Sequence, residues 1–170
     1  MYRLLIATFL LITMMGCSKP YPPLDTVKEV DLQKYLGTWY EIARYEHYFE
    51  KGCRDVSATY ALKEDGDIKV VNRCTKEDGE TKEALGVAYA VDSSNSKLKV
   101  SFFRPFYGNY WIIMLDDGYR YAVVGDPSRE YLWILSRTPK LEEETKKKIL
   151  NRLPEMGYSA VPLIWTPQGK

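Results

Sequence analysis

Histidine is almost missing from this sequence: His47 stands alone. No second His and no Cys stands at ligand spacing from it, which argues against a zinc-type metal centre. A Gly-x-Ser-x-Gly elbow, a phosphate-binding glycine loop and a dinucleotide fingerprint are all absent, so the usual signatures of hydrolases and nucleotide-dependent enzymes are missing too. His47 falls in Glu46-His47-Tyr48-Phe49-Glu50-Lys51-Gly52, a stretch without clean periodicity, and reads as an exposed loop residue rather than a general base. Nothing in the sequence supports a Ser–His–Asp site built on it, and no catalytic residue is expected. An excess of charge is lacking as well. The formal net charge is +1, and Arg3 is the only charged residue before Cys17, so the chain from Cys17 onward sums to zero. That balance argues against a nucleic-acid partner, which calls for a basic face. The longest apolar run, Leu4 to Met15, is about a dozen residues, short of the roughly 20 that cross a bilayer.

Aromatic residues are abundant: they make up 14% of the 170 residues, with 14 tyrosines among them. With 45% hydrophobic and 28% charged residues, the chain is long enough for one domain with a true core. Its periodicity is that of strands. Val56 to Leu62 alternates, Glu64-Asp65-Gly66-Asp67 signals a hairpin turn, and Ile68 to Asn72 returns. Leu85 to Val91, Lys97 to Phe102, Tyr110 to Leu115, Tyr119 to Val124 and Tyr131 to Arg137 follow, joined mostly by short turns. With the strand opening at Trp39, about eight strands suit an all-β, antiparallel up-and-down barrel. No crossover helix separates them, so a parallel sheet is not expected. One helix follows: Thr138 as its cap, Pro139 in its first turn, and Leu141, Thr145, Ile149 and Leu153 on one face. Its Glu142–Lys146, Glu143–Lys147 and Glu144–Lys148 pairs read as a solvated face. Pro162 to Trp165 has room for a short edge strand.

The stretch Leu36 to Tyr45 organises the rest. Gly37 permits a tight bend before the strand, and Trp39 places the largest apolar side chain at the first inward position. Arg137, at the end of a distant strand, can stack on that indole. Gly37-Thr38-Trp39-Tyr40-Glu41, the stretch Asp117 to Tyr121 ahead of a strand, and Arg137 in Leu-Ser-Arg-Thr-Pro resemble the three signatures of the lipocalin family. Val100 to Gly108 and Asp126 to Pro139 resemble its bacterial outer-membrane members, relatives of apolipoprotein D. The resemblance runs from about Asp31 to Trp165. It implies a calyx-shaped barrel whose closed end is built by Gly37, Trp39 and Arg137, with Glu46 to Gly52 as a large loop over the open end.

A period of two, counted from Trp39 and Arg137, projects one set of side chains inward. The set includes Tyr45, Val56, Ala58, Tyr60, Val70, Val100, Phe102, Tyr110, Ile112, Met114 and Trp133, the candidate ligand contacts apart from Met114. A bulge would reverse any of these assignments. Eight strands enclose either a filled core or one small ligand; the resemblance implies the second, with fatty acids and lysophospholipids as ligands. It implies no cofactor. A homodimer is compatible with it, though no interface is legible. An enzymatic alternative, a few lipocalin-like proteins being isomerases or synthases, needs a nucleophile in the barrel, and Cys74 is the only inward candidate.

The N-terminus reads as an export signal. Arg3, the apolar run and Met14-Met15-Gly16-Cys17-Ser18 resemble a bacterial lipoprotein signal, with Met14 and Met15 departing from the usual residues. The expectation is a signal at 1–16, lipid on Cys17, a proline-bearing tether at 17–30 and the lipocalin domain at 31–170. A plain secretory signal is the alternative. Ser18 resembles the outer-membrane sorting residue, which implies an anchor at the periplasmic face of that membrane. Cys53 and Cys74, at the base of the Asp65-Gly66 hairpin, either form a disulfide or remain free buried thiols. Register alone sets Cys74 opposite Ser57, so a bridge needs a bulge.

Overall fold

The structure is a computed structural model that describes residues 21–169; the expected signal and Cys17 lie outside them. Eight antiparallel strands follow in order: β1 (Gly37–Arg44), β2 (Arg54–Leu62), β3 (Ile68–Thr75), β4 (Thr81–Ala90), β5 (Lys97–Phe103), β6 (Phe106–Leu115), β7 (Tyr121–Gly125) and β8 (Leu132–Ser136). Each pairs with the next, and β1 pairs with both β8 and β2, which closes the barrel. A four-residue helix α1 (Leu32–Tyr35), capped by the Asp31 carboxylate, covers one end. The β2–β3 hairpin turns at Gly66, whose φ of +88° needs no Cβ.

Helix α2 (Glu143–Arg152) lies outside the barrel. It begins later than the sequence suggested: Thr138 and Pro139 belong to the preceding loop, where the Thr138 hydroxyl donates to the Lys140 carbonyl. Its expected face holds, since Ile149 and Leu153 are fully buried. They pack with Ile42, Ile113, Val123, Leu132 and Ile134 on the barrel's outer surface. Tyr158 fastens this layer: its hydroxyl donates to the Asp126 carbonyl at 2.8 Å and accepts the Asp126 N–H at 2.9 Å. A Cβ on Gly125 would lie 2.8 Å from the Tyr158 ring, so glycine is what lets the phenol approach.

Two segments depart from simple barrel wall. Residues 21–30, expected as part of a tether, form neither helix nor strand and are docked: Leu24 is buried against the outer cluster, and the Val27 and Val30 amides donate to Ile112 and Ser94 carbonyls. Beyond Tyr40, β1 and β2 no longer pair. The expected edge strand, β9 (Ile164–Trp165), fills that gap by pairing with Ala43 and Arg44. Pro167 and Gln168 then reach β2, accepting the Asp55 amide and donating to the Val56 carbonyl.

Candidate ligand cavity and its charged rim

The closed end is built as the sequence indicates. The Arg137 guanidinium lies 3.8 Å from the centre of the Trp39 ring. It donates to the carbonyls of Thr38 (2.9 Å), Lys34 (2.6 Å) and Tyr35 (3.2 Å), while the indole N–H donates to Tyr35 at 2.8 Å. Gly37 holds φ +91°, and Arg137 Nη1 is 3.5 Å from where its Cβ would be. Above this plate the hydroxyls of Tyr35, Tyr110 and Tyr60 form a hydrogen-bonded chain at 2.8 and 2.9 Å. Burial pushes the Tyr35 and Tyr110 phenols well above their ordinary range and Tyr60 to about 12, so all three are neutral donors and acceptors.

Tyr60, Val70 and Ile112 are buried in the interior cluster, with Ala58, Val100, Tyr110 and Trp133 packed against it. Val56 is also buried. Toward the other end the interior opens. Ala58, Val100, Tyr110 and Trp133 face inward yet are only half-buried, and the inward positions Ala84 and Gly108 are exposed. A solid core would enclose such residues fully, so these partly exposed inward positions mark a lumen that solvent enters.

Two expected inward residues do not line it, each because a register shift breaks the period of two. In β1 the shift lies between Glu41 and Ala43. Tyr45 therefore turns outward, where its hydroxyl donates to the Ser159 carbonyl at 2.6 Å and its ring packs on Tyr158. Phe102 keeps the expected side: β4–β5 pairing is regular through Val87 and Ser101, and the Phe102 ring lies 2.8 Å from where a Cβ on inward-facing Gly86 would be, 44% exposed toward the mouth. Met114 follows a shift in β6–β7 and joins the outer cluster.

The same β1 shift brings an unanticipated charge network inside. Arg44 Nη1 donates to Glu41 Oε1 at 2.8 Å and to the Thr166 hydroxyl at 2.9 Å, and Thr166 in turn donates to Glu41. Arg44 Nε lies 3.5 Å from Glu50 Oε2, and Nη2 donates to the Glu50 carbonyl. Glu50 belongs to a single helical turn, Tyr48–Glu50, in the loop over the mouth, and accepts the Trp133 indole N–H at 3.3 Å. Burial, reinforced by the Glu41 charge, raises the Glu50 carboxyl to about 7, and burial raises Glu41 as well. His47 corrects the sequence reading. It is buried, with its ring 4.7 Å from Tyr131, 5.0 Å from Trp133 and 5.1 Å from Phe49. Burial and the nearby Arg44 lower it to about 4, so it is a neutral wall of the mouth.

Cys53 and Cys74 are joined in a disulfide. The required distortion is present: β2 bulges between Arg54 and Ser57, with Asp55 at φ 51°. Cys74 therefore offers no free thiol, and the enzymatic alternative loses the nucleophile it required.

A family model described as "Lipocalin-like domain" matches residues 30–168. The chain is 47% identical over 166 residues to the outer membrane lipoprotein Blc of Citrobacter freundii, covering 95% of this chain and 92% of that protein. It is 45% identical to the Blc lipoprotein of Escherichia coli K12 over the same shares. Among solved structures, insecticyanin of the tobacco hornworm shares the fold, with a TM-score of 0.72 at 21% identity over 88% of this chain and 87% of that one.

Proposed function

The chain belongs to the lipocalin family, and from that premise we propose that it binds one lipid acyl chain in its barrel while anchored to the outer membrane. The supporting observation is the lumen itself: inward Ala58, Val100, Tyr110 and Trp133 that solvent reaches above a packed aromatic floor. Each methylene moved from water into it contributes about 0.8 kcal/mol, so a long chain binds without any ionic contact. The ligands are fatty acids and lysophospholipids, taken up for storage, transport or scavenging when the envelope is stressed. Cys17 carries the lipid anchor after removal of residues 1–16, and the relatives named as outer membrane lipoproteins support that placement. The reading is complete in one chain; the homodimer compatible with it is tested separately by sedimentation.

The test is a titration of the chain lacking residues 1–17 with lysophospholipid and long-chain fatty acid, followed by tryptophan fluorescence. Saturable one-to-one binding, weakened by Trp133→Ala, is expected. No binding by a chain whose circular dichroism is native would withdraw the proposal.

A further inference from the structure

In an up-and-down barrel alternate loops share an end. The closed end carries α1 and the loops at 63–67, 91–96 and 116–120; the open end carries those at 45–53, 76–80, 104–105 and 126–131. The exposed aromatic residues are concentrated at the open end. Phe103 is 75% exposed, Phe106 71% and Tyr48 91%. The Phe103 and Phe106 rings lie parallel to within 8°, 6.3 Å apart, at the tip of the β5–β6 hairpin, with exposed Arg104 between the two residues in sequence. None of these side chains belongs to either core cluster. An apolar plate kept in water at a loop tip marks a contact surface.

The start of the described chain is at the same end. The Pro22 carbonyl accepts from Arg129 Nη2 at 2.7 Å, and the Arg129 guanidinium lies 5.5 Å from the Tyr21 ring. Arg129 belongs to the 126–131 loop. Cys17 is four residues before Tyr21, a span of at most roughly 14 Å when fully extended. A lipid attached there holds the mouth within one short segment of the bilayer.

We propose that the open end of the barrel rests on the membrane leaflet that holds the anchor, with Phe103, Phe106 and Tyr48 entering its headgroup layer. This rests on the lipid-anchor reading above. Aromatic side chains favour that interfacial depth, and exposed Arg104, between the two phenylalanines in sequence, supplies a cation for lipid phosphates. The β3–β4 turn carries Glu77, Asp78 and Glu80 and neither an aromatic residue nor the anchor, so the barrel leans away from it. Seated this way, the lumen exchanges a single-chain lipid with the leaflet without carrying it through water.

The experiment uses the full lipidated protein in vesicles of phosphatidylethanolamine with a minor share of phosphatidylglycerol, brominated in the acyl chains. Tryptophan is introduced as Phe106→Trp, as Tyr48→Trp and, at the exposed closed-end position, as Leu62→Trp. The emission added by the first two is expected to shift to the blue and to be lost to bromine quenching, while that of L62W is unchanged. Protein that floats with the vesicles while F106W and Y48W stay unquenched overturns the membrane-facing mouth and leaves the anchor standing. Quenching of L62W equal to theirs also overturns it. Failure of the wild-type protein to float overturns the anchor reading, and this inference falls with it.

Discussion

Glu41 and Arg44 stand three residues apart in one strand, yet their side chains meet inside the barrel at 2.8 Å. Regular alternation would send them to opposite faces. The register shift between Glu41 and Ala43 puts both on the lumen side, where each is almost completely enclosed. Removing one partner leaves an uncompensated buried charge, a loss of roughly 3–5 kcal/mol. Arg44→Met alone is expected to lower the urea midpoint by that order. The double variant Glu41→Gln/Arg44→Met should lose clearly less than the sum of the two single changes. Strict additivity would show that the pair is not energetically coupled.

Glu50 and His47 set opposite pH dependences. Glu50 titrates near pH 7 in the fold against an ordinary value of 4.5, so the folded chain holds a proton that the unfolded chain releases. Its contribution is complete below about pH 4.5 and is lost as pH rises through about 7. His47, lowered from 6.5 to about 4, contributes above pH 6.5, and that part is lost as pH falls through about 4. Denaturation midpoints measured across pH should show the alkaline-side decline flattened in Glu50→Gln and the acid-side decline flattened in His47→Phe. Unchanged profiles would mean that neither group titrates as its burial dictates.

Arg137 ties α1, β1 and the loop before β7 to one indole. Arg137→Ala should cost roughly 2–4 kcal/mol, from the lost cation–π contact and charged hydrogen bonds. Arg137→Lys should recover only part, because an ammonium lacks the planar fork that reaches several carbonyls at once. Chemical denaturation with an unchanged m-value would isolate the effect as one of stability. A lysine variant as stable as the native chain would refute the geometric argument.

The Cys53–Cys74 bridge spans 21 residues, for which loop entropy gives about 3 kcal/mol. The paired variant Cys53→Ser/Cys74→Ser should fall in stability by that order while keeping its ligand affinity. Thiol titration of the unfolded native protein, cut off from its lipid site at Cys17, should find no free thiol.

Much of this architecture was legible in the residues. Trp39, Arg137, the Asp65-Gly66 turn and the Ile149–Leu153 face each carry a local signature that tertiary context did not overrule. The bulge behind the disulfide was legible only as a condition: a Cys53–Cys74 bridge required one, and the sequence left bridge and free thiols both open. What the sequence concealed lies beyond register shifts. Tyr45 and Met114 each follow a shift whose residues look like any strand, so counting by two carried the wrong parity forward. The burial of His47 was hidden because a loop without periodicity gives no sign of what it folds over. Thr138 and Pro139 carry a plausible helix start, but the chain uses it for a turn and begins α2 at Glu143.

The barrel wall between β1 and β2 is completed by residues distant in the chain: Thr166 meets Glu41 across 125 positions. A contact between positions so far apart must overcome a large loop-closure entropy before it is rewarded, so sealing this part of the wall is a slow step of folding. Gly37 to Tyr40 pair with Ser57 to Tyr60 without it, whereas the seam at Ala43 and Arg44 closes only when Ile164 and Trp165 arrive.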